Sequence, residues 1–81
     1  MKVRVKLFAA ARELAGSDTL ELEIADRATL ADLRLAVAKE FPALQKLLPH
    51  TLWAVDAEYA ANDFVINGRS EIALIPPVSG G

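Results

Sequence analysis

The sequence predicts an α+β fold in which one main helix packs across a mixed sheet of four to five strands. Three observations support this prediction: two early segments alternate charged and aliphatic residues, a central segment has a helical apolar stripe, and a late segment is apolar on both faces. The 81 residues contain no internal repeat or second domain. We therefore expect one folded domain over residues 1–75 and a flexible tail over residues 76–81.

The first two predicted strands carry opposite charges. Residues 2–7 alternate lysine or arginine with valine or leucine, and residues 19–24 alternate glutamate with leucine or isoleucine. This period of two is typical of strands with one buried and one exposed face. Antiparallel pairing sets Glu21 and Glu23 opposite the basic side chains, and each such pair contributes about 0.2–1 kcal/mol. We interpret these charges as a solvated sheet face, in preference to a binding site.

Two helices are expected. Residues 9–15 are rich in helix formers, and Gly16 supplies the left-handed residue that ends a short helix. The main helix begins after Thr29, because Thr29 and Asp32 have the spacing of a capping box, and it ends at Pro42. One narrow apolar stripe of this helix faces the sheet, and it consists of Leu30, Leu33, Val37 and Phe41.

The last third of the chain predicts short strands joined by loops. Residues 52–55 form one strand, residues 64–66 form a brief second one, and Asn67 followed by Gly68 is a turn signal. Residues 71–75 are apolar on both faces, which is typical of a central strand. If the helix covers Ile72 and Leu74, the opposite face of this strand needs other cover. Either a partner protein or the chain's own loops can provide it.

Composition argues against several functional classes. A net charge of −2 and a pI near 5.2 give no basic field for nucleic acid. The apolar runs fall short of the roughly 20 residues of a membrane span, and the alternating start differs from a secretory signal. We therefore expect a cytoplasmic protein that binds neither nucleic acid nor membranes. The chain has no cysteine, which excludes disulfides and thiolate chemistry on its own side chains.

The side chains do not suggest a conventional catalytic or metal site. His50 is the only imidazole, and Asp56, Glu58 and Asp63 lack the regular spacing of a calcium loop. The four glycines do not form a phosphate-binding motif. We expect no metal and no stably bound cofactor. The aromatic residues Trp53 and Tyr59 are more consistent with a core or an interface than with a stacking platform.

The remaining reactive group is the C-terminal carboxylate of Gly81. Terminal glycines lack side chains and can pass through a narrow channel, and the two prolines before them end any strand. A carboxylate is a poor electrophile, but a partner enzyme that holds ATP and magnesium can adenylate it, and a sulfur nucleophile can then displace AMP. The alternative is a frayed chain end. The residues expected to insert into a partner together with Gly81 are Pro76, Pro77, Val78, Ser79 and Gly80.

Three segments of the chain resemble the small subunit of molybdopterin synthase, a member of the ubiquitin-like sulfur carrier family. They are residues 8–16, which contain Arg-Glu-Leu-Ala-Gly, residues 29–33, and residues 71–81, whose ending Pro-Pro-Val-Ser-Gly-Gly is the most specific part. The resemblance extends over essentially the whole chain. Asp56, Gly68 and Ser70 depart from the usual loop pattern of the family.

The resemblance implies a ubiquitin-like β-grasp fold and a role in molybdenum cofactor synthesis. It implies that Gly81 is adenylated by an E1-like adenylyltransferase that uses ATP and Mg, and is converted to a thiocarboxylate with sulfur from a donor protein. The tail then enters the active site of the large subunit. There the thiocarboxylate donates sulfur to cyclic pyranopterin monophosphate, which forms the dithiolene of molybdopterin. The small subunit is not catalytic alone, and the synthase is a heterotetramer of two small and two large subunits.

The resemblance leaves other functions open. A sulfur carrier for thiamine, tRNA or cysteine biosynthesis shares the Gly-Gly ending, and so does a ubiquitin-like protein modifier or interaction domain. For the partner interface we expect Ile75, Val78 and Phe8, with the protein core as the alternative place for Phe8.

Overall fold

The structure is a computed structural model that describes residues 1–76. A five-stranded mixed sheet has the order β2-β1-β5-β3-β4, with β1 and β5 parallel and the other neighbouring strands antiparallel. This arrangement confirms the predicted α+β class. The strands are β1 (Lys2–Leu7), β2 (Thr19–Glu23), β3 (Leu52–Val55), β4 (Glu58–Tyr59) and β5 (Ile72–Ile75), and the helices are α1 (Ala9–Ala15) and α2 (Leu30–Glu40), with 3-10 turns at Pro42–Leu44 and Leu48–His50.

The charged pairing of the first two strands is confirmed. Arg4 lies opposite Glu21, and Lys2 lies opposite Glu23. The Glu21 carboxylate is 3.7 Å from Lys2 Nζ and 3.8 Å from Arg4 Nη2. All of these side chains are exposed, so the ion pairs add little to the free energy of folding.

Both helices begin or end at the residues that the sequence indicates. Gly16 ends α1 with φ of 72°, and its N–H donates to the carbonyl oxygen of Arg12 at 3.0 Å. At the start of α2, the Thr29 N–H donates to Asp32 Oδ2 at 2.9 Å and the Asp32 N–H donates to Thr29 Oγ1 at 3.3 Å, which completes the capping box. Phe41 follows α2 as its C-terminal cap, directly before Pro42.

The core lies between α2 and one face of the sheet. Leu30, Leu33 and Val37 of the predicted stripe are buried and belong to the same apolar cluster as alternate residues of the strands. Phe41 packs at the margin of this cluster. Trp53 is buried in it as well. Within residues 1–76, neither helix has the length and apolar character required to cross a membrane.

The predicted strand at residues 64–66 is wrong. Val65 forms only an isolated bridge with Thr29, because this segment bonds to the start of α2 and not to the sheet. The strand that was not predicted is β4, which pairs with β3 through Ala54 and Tyr59 and through Val55 and Glu58. Its two residues are too few to show a period in the sequence.

Candidate functional site

The sheet topology brings the end of β5 and the residue after β1 to one edge of the domain. Because β1 and β5 are parallel and Leu7 lies beside Leu74, Phe8 and Ile75 follow at the same edge. Pro76, which comes next, is buried. The remaining predicted tail residues lie outside the described residues, and they are Pro77, Val78, Ser79, Gly80 and the proposed reactive residue Gly81.

An apolar surface lies beside the end of β5 on the sheet face opposite α2. In the register of the sheet, Ile75 lies beside Leu52, and Ala54 lies between Ala73 and Tyr59. Three side chains of this surface are large and open to solvent, with exposed fractions of 48% for Phe8, 55% for Leu52 and 72% for Tyr59. We call this surface the exit patch, and define it as Phe8, Leu52, Ala54, Tyr59, Ala73 and Ile75.

A shallow hollow of about 400 Å³ occupies the middle of the exit patch. Ala54 and Ala73 form part of its floor, since small side chains stand there between larger neighbours. Phe8 and Tyr59 contribute to its lining, and the two charged residues that line it are Lys6 and Glu71. The hollow can therefore accept a protruding apolar side chain from another molecule.

Of the three interface residues expected from the sequence, the structure places Ile75 and Phe8 at this surface. Phe8 is exposed and does not belong to the core. Val78 lies outside the described residues. Leu52 was not among the expected interface residues, although its alternation with the buried Trp53 indicates an outward-facing side chain. Tyr59 belongs to the short β4, and its position became evident only from the pairing with Ala54.

The loops at which the sequence departs from the family pattern are closed by regular hydrogen bonds. Asp56 Oδ1 accepts the Glu71 N–H at 2.9 Å, and the Asp56 N–H donates to the Glu71 carbonyl oxygen at 2.8 Å. Asp56 thus ties the β3–β4 turn to the start of β5. At the next turn, the Ser70 N–H donates to the carbonyl oxygen of Asn67 at 3.0 Å. A Cβ atom on Gly68 would meet only ordinary contacts, the nearest being Met1 Sδ at 3.7 Å.

The side chains with potential for chemistry are dispersed over the described surface. His50 is exposed in the second 3-10 turn, and it is not an element of the exit patch. Among residues 1–76, histidine, aspartate and glutamate form no group of three or more that is suited to hold a metal ion.

Comparison with known proteins places the chain in a family. The ThiS family model matches residues 5–81. The molybdopterin synthase sulfur carrier subunit of Arabidopsis thaliana is 33% identical over 81 residues, which cover 100% of this chain and 84% of the relative. The crystal structure of SAMP1 from Haloferax volcanii superposes with a TM-score of 0.88 at 32% identity and covers 100% of both chains.

A second similar structure is a protein–protein complex of subunits 1 and 2 of the molybdopterin-converting factor from Helicobacter pylori. The match covers 100% of both chains, with a TM-score of 0.72 and 23% identity, and it shows a shared fold. The fold, the extent of the family match and the full-length relatives agree with one another. This chain belongs to the ThiS family and has the ubiquitin-like β-grasp fold.

Proposed function

We propose that this chain is a sulfur carrier that acts as the small subunit of molybdopterin synthase. The observation that carries the proposal is the position of the exit patch, which lies beside the end of β5, where the chain leads into the tail. A partner that covers the patch receives the tail at the same time. Relatives named molybdopterin synthase sulfur carrier subunit support the same role, since they match this chain over its full length.

The proposed chemistry takes place on the carboxylate of Gly81. An E1-like enzyme joins this carboxylate to the α-phosphate of ATP in the presence of Mg²⁺, which releases pyrophosphate and forms an acyl adenylate. A persulfide of a sulfur donor protein attacks the acyl carbon and displaces AMP, which leaves an acyl disulfide. A thiol then attacks the donor-side sulfur of this disulfide, forms a new disulfide with the donor protein and releases the thiocarboxylate. The carrier needs no cysteine for these steps.

In the second stage the thiocarboxylate donates sulfur to cyclic pyranopterin monophosphate in the active site of the large subunit. The contribution of this chain is to position the tail. Burial of the exposed aromatic and aliphatic side chains of the exit patch contributes favourably to the binding free energy, and the part that exceeds the cost of association appears as affinity. The Helicobacter pylori complex, which shares the fold, provides a precedent for the association of the two subunits.

Intact-mass measurement tests the proposal. Incubation with the activating enzyme, ATP, Mg²⁺ and a sulfur source should raise the mass by about 16 Da, because sulfur replaces one oxygen. The loaded protein and the large subunit should together convert cyclic pyranopterin monophosphate to molybdopterin. A variant that lacks Gly81 is the matched control, and it should do neither. Loading without molybdopterin formation would favour another sulfur-carrier pathway, and absence of loading would refute the proposal.

The second candidate function is that of a ubiquitin-like protein modifier. It is favoured by the close structural likeness to SAMP1, which superposes over the whole chain with a TM-score of 0.88. In this case Gly81 forms an isopeptide bond with a lysine of a target protein. Peptide mass spectrometry of cell extracts would detect the tail attached to lysine residues. Molybdopterin formation would then be unaffected by deletion of Gly81.

A further inference from the structure

Lys6 occupies a distinct place on the exposed face of β1. Towards β2, Lys2 lies opposite Glu23 and Arg4 lies opposite Glu21, whereas Lys6 lies opposite the uncharged Thr19. On its other side, Lys6 lies beside Ala73 of β5. The acidic residues of β2 thus compensate the first two cations of the strand. Lys6 is the cation of β1 that lies at the boundary between the charged part of the sheet face and the exit patch.

The surroundings of Lys6 do not neutralise its ammonium group. Among residues 1–76, the carboxylates all lie more than 4.0 Å from Lys6 Nζ, and the side chain is exposed. Asp18 and Glu71 line the hollows on either side of Lys6. Asp18 Oδ1 instead accepts a hydrogen bond from the Thr19 hydroxyl at 3.3 Å. The positive charge of Lys6 is therefore available to another molecule.

We propose that Lys6 determines partner specificity by pairing with a carboxylate of the large subunit when that subunit covers the exit patch. This inference rests on the proposed function. Lys6 lines the same hollow as Phe8, Ala73 and Ile75, so a partner seated in the hollow removes water from the ammonium group. A charge that loses water without gaining a partner opposes binding. The covering surface must accordingly combine an apolar projection with an aspartate or glutamate at its margin.

A second copy of this chain fits the surface less well. A two-fold contact centred on the exit patch places the same patch on both sides of the interface. It would bring two Lys6 side chains to one interface together with two copies of Glu71, the acidic residue that lines the same hollow. A second copy thus adds a cation as well as a carboxylate, whereas a partner that presents a carboxylate alone pairs with Lys6 without adding a second cation.

The test measures the affinity of the full-length protein for the large subunit of the same organism by titration calorimetry. Lys6→Glu should raise Kd at least tenfold, and Lys6→Met should raise it several-fold. Lys2→Glu introduces the same change of charge at the far end of the same strand, and it should change Kd by less than twofold. Wild-type affinity should fall as salt rises from about 50 to 200 mM, and Lys6→Met should reduce this dependence.

A compensating change gives a positive readout. Reversal of one acidic residue on the large subunit to lysine should restore binding to Lys6→Glu and weaken binding to the wild type. Tight wild-type binding with equal losses for Lys6→Glu and Lys2→Glu, or with no loss for either, would overturn the role of Lys6 and leave the proposed function intact. A wild-type protein that acquires sulfur and does not bind the large subunit would refute both.

Discussion

The carbonyl oxygen of Phe64 accepts the backbone N–H of Leu30 at 2.9 Å, so a residue distant in sequence closes the first turn of α2. The next N–H, of Ala31, donates to the Asn62 carbonyl oxygen at 3.0 Å, and that of Asp32 donates to Thr29 Oγ1. The N–H groups that a helix start leaves free are thus all bonded within the domain. Because the carbonyl groups of the 62–64 loop accept hydrogen bonds from the start of α2, this loop does not join the sheet.

Replacement of Thr29 by alanine should lower the free energy of unfolding by about 1 kcal/mol, because the Asp32 N–H loses its acceptor. Urea denaturation measures the change. Thr29→Ser keeps the hydroxyl and should retain most of the stability. Equal losses in the two variants would assign the effect to the Thr29 methyl group and not to the cap.

Replacement of Ala57 by glycine should stabilise the domain by about 0.5–1 kcal/mol. Asp56 and Ala57 have φ of 51° and 68°, a combination that suits a tight hairpin turn and strains a residue with a Cβ atom. Glycine adopts this conformation without strain. Ala10→Gly is the matched control, and it should destabilise the domain because Ala10 lies in α1. The midpoint of thermal unfolding should move in opposite directions for the two variants.

Two leucines of α2 should differ strongly in the stability that they lose on truncation. Leu33 is fully buried, so Leu33→Ala should lower the free energy of unfolding by about 2–5 kcal/mol through the cavity that it leaves. Leu35 is 71% exposed, so Leu35→Ala should change stability by less than about 0.5 kcal/mol. Chemical denaturation of both variants compares them directly. A large loss for Leu35→Ala would show that the exposed face of α2 packs against something else.

The exit patch should govern affinity for the large subunit. Ile75→Asp places a charge beside Leu52, and it should weaken binding at least tenfold. Phe8→Ala removes an exposed side chain outside the strands, and it should weaken binding while leaving the unfolding midpoint nearly unchanged. Leu35→Asp lies on the helix side of the domain and serves as the control. Unchanged affinity of Ile75→Asp and Phe8→Ala would place the interface elsewhere.

Sequence patterns predicted the parts of the fold that local physics dictates. The alternation in β1 and β2, the capping box at Thr29 and the left-handed Gly16 each contain their signal within a few residues, and each is confirmed. The strand assignment at residues 64–66 failed because an apolar segment bonds to whichever backbone is nearby. In this protein the nearby backbone is the start of α2, which lies about thirty residues earlier in the sequence.

The exit patch was only partly predictable for the same reason. The two apolar faces of β5 indicated that Ile75 needs cover, and this depends on the strand alone. The neighbours of Ile75 depend on the register between β3 and β5 and on the pairing of β4, which are long-range relationships. The role proposed for Lys6 likewise depends on its neighbours in the sheet, Thr19 and Ala73, which are set by long-range pairing.

The central place of β5 has a consequence for synthesis of the protein. Strand β5 is the last strand among the described residues, yet it alone joins the β1–β2 hairpin to the β3–β4 hairpin. A nascent chain that stops before Ile72 lacks the strand that joins the two hairpins, and an isolated two-stranded hairpin is only marginally stable in water. The sheet therefore assembles only after translation has reached the segment that leads into the tail. On the proposed function, a partner that recognises the assembled face would discriminate against truncated chains, and incomplete carriers would not compete for the proposed activating enzyme or large subunit.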